Sequence, residues 1–464
     1  MASCKVEILH LADLTPAPQE RLWHSSPHPQ LPIIATCGAD KIIRIYSLLN
    51  FTLISSISGG HKRSVRSSAW KPNSREEIVL ATASFDATVG IWKRWDRLLD
   101  NSTGIPHIPG AVDSGMDKIF ATGDENEESD DWTFAVLLDG HDSEVKSVSW
   151  SSSGSLLATC SRDKSIWIWE DLEDGESNFE TIAVLQDHQG DVKCVSWHPE
   201  DDCLASGGYD NTIRLWREDI DDWSQVACLN GHEGTVWSVD WEAPACSRVV
   251  SDSNKENNAL DTSDILRTEG ELSPMIDTNL RAPRLASCSD DKTVRIWRKL
   301  SAPSTFPIPQ DSIPGTIRTR SIEETWVQES VLPGEHDLSI YSVSWSKRSG
   351  LLASTGADGK IVIYGERPKL SHLHGDSGEL PVPSNKGAIS IENIQVTNTL
   401  AIETEWHILS TIEAAHGIHE VNHVCWAKRG NPDSRLDGRL NQQEEILLST
   451  GDNGIVRAWE VVKR

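Results

Sequence analysis

Short runs of alternating apolar and polar residues recur from one end of the chain to the other, each bounded by Gly, Asp or Ser turns. A period of two predicts β-strands that bury one face. One stretch can be read as a full unit of four. Val145 to Trp150 predicts an inner strand, Leu156 to Cys160 the next, Ser165 to Trp169 the third and Phe179 to Leu185 the outer one. His188 then opens the following unit. Each unit also carries a fixed phrase: a small-residue turn, an acidic or amide residue, and an aromatic six positions later. The series is Asp40/Tyr46, Asp86/Trp92, Asp163/Trp169, Asp210/Trp216, Asp291/Trp297, Asp358/Tyr364 and Asn453/Trp459. Six units begin with a histidine: His61, His141, His188, His232, His336 and His416. A Trp follows by nine residues at Trp70, Trp150, Trp197, Trp241 and Trp345, and by ten at Trp426.

Self-similarity of this kind predicts an all-β, seven-bladed propeller, because a single four-stranded blade cannot bury its own faces and must stack on neighbours. The first unit lacks the histidine and starts near Arg21-Leu22-Trp23, while the chain ends five residues after Trp459. The last blade is thus short of an outer strand. Residues near 5–11, around Lys5-Val6-Glu7-Ile8-Leu9, are expected to supply it and so remove an open sheet edge.

Residues 1–464 are expected to form one such propeller interrupted by insertions. His141–Trp169, His188–Trp216 and His336–Tyr364 each span 28 residues, whereas His232–Trp297 spans 65. The excess falls at about 243–283, a stretch rich in Ser, Asp, Asn and Glu, and comparable extensions occupy about 96–131, 300–323, 367–403 and 428–443. They read as surface loops, with a partner-binding or phosphorylation role as the alternative, for instance at Ser273-Pro274. The dense acidic run Asp124 to Asp131 places much of the charge there.

The formal net charge is −27, which repels nucleic acid and anionic lipid unless a local basic patch intervenes. No long apolar run and no signal-peptide core occur, so a soluble protein that is not secreted is expected. None of the nine Cys pairs with C-x-x-C spacing, which leaves no metal site to assign. Cys37, Cys160 and Cys288 occupy the same place in three units and read as small core residues. The sequence contains no G-x-S-x-G elbow, H-E-x-x-H or phosphate loop; His198 and His423 are isolated, and no enzyme is predicted.

A histidine and an aspartate in nearly every blade suit a fold device better than an active site, which is needed once. The pattern resembles WD-repeat proteins, in which the loop His, a strand Ser or Thr, the turn Asp and the Trp form a buried hydrogen-bonded network. The matching sets are His61/Ser84/Asp86/Trp92, His141/Ser161/Asp163/Trp169 and His232/Ser289/Asp291/Trp297, with His188, Asp210 and Trp216 in a fourth unit. Weaker or absent networks are expected where Gly208 and Gly356 replace the Ser, Tyr46 and Tyr364 the Trp, and Asn453 the Asp.

Function should lie in residues that vary between blades at one exposed place. One such place precedes the turn Asp: Ala39, Phe85, Arg162, Tyr209, Asp290, Ala357 and Asp452. The other lies five after the His: Arg66, Lys146, Lys193, Trp237 and Tyr341, with Asn422 as the shifted equivalent. Both should ring one face around a central channel. Arg66, Lys146, Arg162 and Lys193, interleaved with Phe85 and Tyr209 and continued by Trp237 and Tyr341, suit an acidic peptide with an aromatic anchor.

Longer strings narrow the resemblance. Ser84-Phe85-Asp86-Ala87-Thr88, the run from Leu157 through Cys160-Ser161-Arg162-Asp163 to Glu170, Gln189-Gly190-Asp191-Val192-Lys193, Asp221-Asp222-Trp223 and Asn230 through Ser238 are similar to the WD-repeat subunit of the cytosolic iron–sulfur protein assembly targeting complex. The resemblance implies a scaffold without a cluster or cofactor of its own, cytoplasmic and in part nuclear. It implies as partners a small acidic targeting subunit, a HEAT-repeat scaffold, a hydrogenase-like cluster carrier and apo-protein clients, some recruited by tails ending in an aromatic residue. The family's exposed arginine corresponds to Arg162. The alternative on the same fold is a ubiquitin-ligase substrate receptor or a chromatin-peptide reader.

Overall fold

A computed structural model describes residues 6–74, 77–95, 132–175, 177–219, 222–244, 282–300, 323–368, 404–429 and 444–463. The segments predicted as insertions lie outside these residues, apart from one or two at the ends of four of them, as do Ser273, Pro274, Cys4 and Cys246. Twenty-eight strands form seven four-stranded antiparallel sheets. In six of them the strands follow chain order, each sheet meandering from its inner to its outer edge. The seventh pairs Val6–Asp13 with Val456–Lys463, from Glu7 opposite Val462 to Asp13 opposite Arg457, with the register shifting by one between His10 and Ala12. The propeller is therefore closed by its own N-terminal strand, and the last blade has no unpaired inner partner left at its rim.

Period-two alternation explains the stacking. In the second strand of each blade both faces are buried, and odd and even residues serve different neighbours. Leu156, Ala158 and Cys160 of the third blade pack with Val192, Trp197 and Trp216 of the fourth. Leu157, between them, packs instead with Val79, Ala81 and Ile91 of the second. Seven such apolar clusters occur, one at each seam, including the closing seam where Leu22, Ile34 and Tyr46 meet Cys425, Ile446 and Leu448. Cys37, Cys160 and Cys288 are fully buried in three of these clusters.

Polar bonds bolt the same seams. In four blades a Trp of the inner strand donates its indole N–H to a carbonyl of the preceding blade: Trp70 to Ser26 at 2.8 Å, Trp197 to Ser149 at 3.0 Å, Trp241 to Ser196 at 3.0 Å and Trp426 to Ser344 at 3.1 Å; the Trp150 indole makes no such bond. Between the fifth and sixth blades the device changes. Trp345 turns its indole to Gly350, and its backbone N–H donates to the buried Asp240 carboxylate at 2.7 Å. Nearby, Arg284 is 2% exposed and donates to both oxygens of Glu242 at 2.9 Å, to Glu366 at 2.7 Å and to Glu329 at 3.1 Å. Trp345 and Trp406 cover its guanidinium.

Removal of that guanidinium would leave Glu242 and Glu366 facing each other out of water. Arg284→Met is expected to destabilise by about 3–5 kcal/mol in urea unfolding. A loss below about 1 kcal/mol would show that the cluster behaves as an exposed ion pair instead.

Candidate functional site

An antiparallel meander returns the loop between blades and the turn between second and third strands to the same end of the sheet. That is why a histidine meets an aspartate some 20 residues later. The turn is tight. The residue after each Asp or Asn has positive φ: Lys41, Ala87, Lys164, Asn211, Lys292, Gly359 and Gly454, at 60–75° in every case. Asp accepts the N–H two residues on, as Asp163 does from Ser165 at 2.8 Å, and so stabilises the turn that presents it.

In the third blade His141 Nδ1 lies 2.9 Å from Asp163, its Nε2 2.9 Å from Thr159 Oγ1, and Trp169 donates to the same hydroxyl at 3.1 Å. Thr82, Ser206 and Ser287 hold the equivalent place against His61, His188 and His232, and against Trp92, Trp216 and Trp297. The bonding hydroxyl is thus two residues before the one expected from sequence. Ser84, Ser161 and Ser289 bond instead to carbonyls of the preceding loop and accept the Asp backbone N–H. A shift of two keeps a strand residue on the same face, so pattern alone could not separate the two candidates.

Two expectations fall with this correction. Gly208 does not weaken its blade, because Ser206 makes the contacts. Asn453 also serves, at 3.1 Å from His416, with Ser449 and Trp459 completing the chain. In the sixth blade Ser354 joins His336 at 2.7 Å, with the Tyr364 hydroxyl at 3.5 Å. The first blade has no such set, and Tyr46 donates to Pro16 at 2.8 Å. Each chain resembles a nucleophile–base–acid triad, but the hydroxyls are fully buried and capped by an indole or phenol, so no substrate can reach them.

Burial opposes ionisation of Asp86, Asp163, Asp210 and Asp291, yet hydrogen bonds from the histidine, the neighbouring hydroxyl and backbone N–H hold all four well below the usual carboxylate range. His416, which faces an amide rather than a carboxylate, is pushed down to about 4 by burial.

The clamps hold the loops of one face around a channel. Arg66, Lys146, Lys193, Trp237, Tyr341 and Asn422 line it together, in a cavity of about 270 Å³. Lys146 Nζ sits 4.3 Å above the Phe85 ring, and Lys193 lies 5.6 Å from Tyr209 and 5.2 Å from Trp237. Arg66 stacks on Trp23 at 5.7 Å. Arg162 stands farther out, its side chain 59% exposed, 3.3 Å from Glu144. The opposite arc is acidic: Asp290 accepts from Trp237, Glu420 from the Tyr341 hydroxyl, and Asp452 from Asn422. The sequence comparison missed Trp23, Arg63 and Glu144. Trp23 is the first blade's counterpart of Arg66 and was hidden by the missing histidine. Arg63 and Glu144, 3.4 Å apart, occupy loop positions that were not compared.

Clamp, meander and channel define a WD-repeat propeller whose two faces differ in chemistry. A family described as "WD domain, G-beta repeat" matches residues 51–93, 132–170, 179–217, 276–298 and 326–365. Over its whole length the chain is similar to proteins named "Probable cytosolic iron-sulfur protein assembly protein 1". That of Coccidioides immitis is 56% identical over 97% of both chains. Those of Penicillium rubens and Aspergillus flavus are 52% identical, over 99% of this chain and 100% of the relative, and 53% identical over 97% of both. The chain belongs to the cytosolic iron–sulfur protein assembly protein 1 family.

Thr159→Val is expected to cost about 1–3 kcal/mol in denaturant unfolding, since it strands His141 and Trp169 in a buried place. The four depressed carboxyls bind fewer protons folded than unfolded. Their contribution is therefore complete well above the unfolded value of about 3.9, begins to fall as pH approaches that value, and is lost progressively as pH drops on through the depressed folded values. Urea titrations between about pH 7 and pH 3 should show that loss, and a flat profile would contradict it.

Proposed function

We propose that this chain is a non-catalytic adaptor of cytosolic iron–sulfur protein assembly, holding assembly factors and apo-protein clients together while a cluster is delivered as cargo. Family membership supports the process, and one feature supports the mode: the arc of cations and aromatic rings on the face formed by the short histidine loops. In this reading the partners are a small acidic targeting subunit, a HEAT-repeat scaffold, a hydrogenase-like cluster carrier and the clients themselves, met in the cytosol and in part in the nucleus. Carboxylates of an arriving tail suit Arg162, Lys146, Lys193 and Arg66, and its aromatic end suits Phe85, Tyr209, Trp237 and Tyr341. Clients need share only a short chemical signature, which fits a platform serving many of them.

The test is binding of acidic peptides ending in an aromatic residue, followed by fluorescence anisotropy with purified protein and again with the assembly factors present. Arg162→Glu should weaken capture about tenfold or more, because it removes a charge-assisted contact and places a carboxylate there, while circular dichroism and Tm stay unchanged. Unaltered affinity in the folded variant would remove Arg162 from the site. Affinity capture with crosslinking that returned ubiquitin-ligase subunits or histones without assembly factors would reject the reading as a whole.

A further inference from the structure

Three consecutive blades each send one cation into the same end of the channel. Arg66, Lys146 and Lys193 are the second residues of the inner strands Val65–Trp70, Val145–Trp150 and Val192–Trp197, so stacking the blades superposes them around one space. Their existing partners are few. Arg66 donates to the Trp23 carbonyl at 3.3 Å and otherwise rests on that indole. Lys146 is 3.9 Å from Glu144, a carboxylate already engaged by Arg63 and Arg162. Lys193 is paired with Asp191 at 3.2 Å. Asp240, which lines the same cavity, lies near the far end of its inner strand, occupied by the backbone N–H groups of Trp241 and Trp345, and Asp290, Glu420 and Asp452 stand on the opposite arc, engaged by Trp237, Tyr341 and Asn422.

Such a convergence is unfavourable by itself, for like charges out of bulk water repel. Burial lowers the pKa of Lys146 despite the pull of Glu144, and Lys193 and Arg66 lower it further. Burial likewise drives down His423, to about 3, and His24, and the Arg66 charge adds to both. The two imidazoles in this stretch of channel are thereby kept neutral. In a chain of net charge −27, cations gathered inward against their own repulsion are the half of an interaction that awaits its counter-charge.

We propose that the channel mouth is an anion seat, distinct from the exposed rim around Arg162, which takes a compact oxyanion between Arg66, Lys146 and Lys193. Tyr341 and Asn422 complete the wall, and the aromatic rings of Trp23, Phe85 and Trp237 set the depth to which the anion enters. Carboxylate and phosphate share the required chemistry. The anion can be the end of an acidic chain or a free small molecule. The seat rests on the client reading in using the same three cations, and phosphate or citrate binding tests it apart from any client.

Thermal shift and calorimetry on the full chain test it with inorganic phosphate and citrate, against chloride at matched ionic strength, because a ligand of the folded state raises Tm with its concentration. Phosphate or citrate should raise Tm where chloride does not. Lys146→Gln and Lys193→Gln should each weaken binding about tenfold. Lys292→Gln, an exposed turn residue away from the cavity, should leave it as it was. Lys146→Gln should also melt no lower than the parent without ligand, since it relieves repulsion; a purely structural lysine would do the opposite. A peptide with a free C-terminus compared with its amide then separates the sources: preference for the acid identifies a chain end, and equal binding beside a phosphate response identifies a free anion. The seat is refuted if oxyanions act no better than chloride and acid and amide bind alike, or if the shift survives Lys146→Gln and Lys193→Gln.

Discussion

A carboxylate can only accept and an indole can only donate, and the buried chains of the second to fifth blades run between such fixed ends. In the third blade the order is Trp169, Thr159, His141, Asp163, an arrangement in which a proton on Nδ1 meets the carboxylate. Every polar group is then satisfied without water, which is the condition for burying it. The loop carrying the histidine is thereby tied to the turn carrying the aspartate. Neighbouring side chains on those two segments, among them Arg162, Phe85 and Tyr209, inherit a fixed position.

The same meander separates the two faces by chemistry. Each of the five long segments joins a first strand to a second or a third to a fourth, so the described strand ends on either side of it all belong to the face opposite the histidine loops. Connections on the histidine side are short and pinned, so lengthening the chain between the other strand ends breaks no clamp. The cationic arc is built on the histidine side.

Within the ring, the seams are not equivalent. Four use an indole donating to a neighbouring carbonyl, whereas the fifth and sixth blades use Asp240 and the Arg284 cluster. At that seam the channel wall is aromatic on both sides, with the Trp237 and Tyr341 rings edge to face and their centroids 5.5 Å apart. Cationic and acidic arcs thus divide the channel between them, with the paired rings as the border. A ligand crossing this border would meet opposite potentials at its two ends, which gives the face a direction as well as a charge.

Number of blades, strand order and closure were legible in the chain because period two and a repeated His–Asp–Trp phrase are local patterns that stacking can satisfy in one way. The identity of the rim positions followed from the same repeat, and Arg66, Lys146, Lys193, Trp237 and Tyr341 do line one cavity. Choosing between Thr159 and Ser161 lay beyond pattern, since both face the same way and only the distance to His141 and Trp169 separates them. Trp23 went unseen because its blade lacks the histidine that sets the register, and Glu420 because it stands outside the two compared places, whereas Asp290 and Asp452 share the place before the turn residue. Alternation along a strand is written in the sequence, whereas charge across a channel is a sum over seven blades and exists only once the ring is closed.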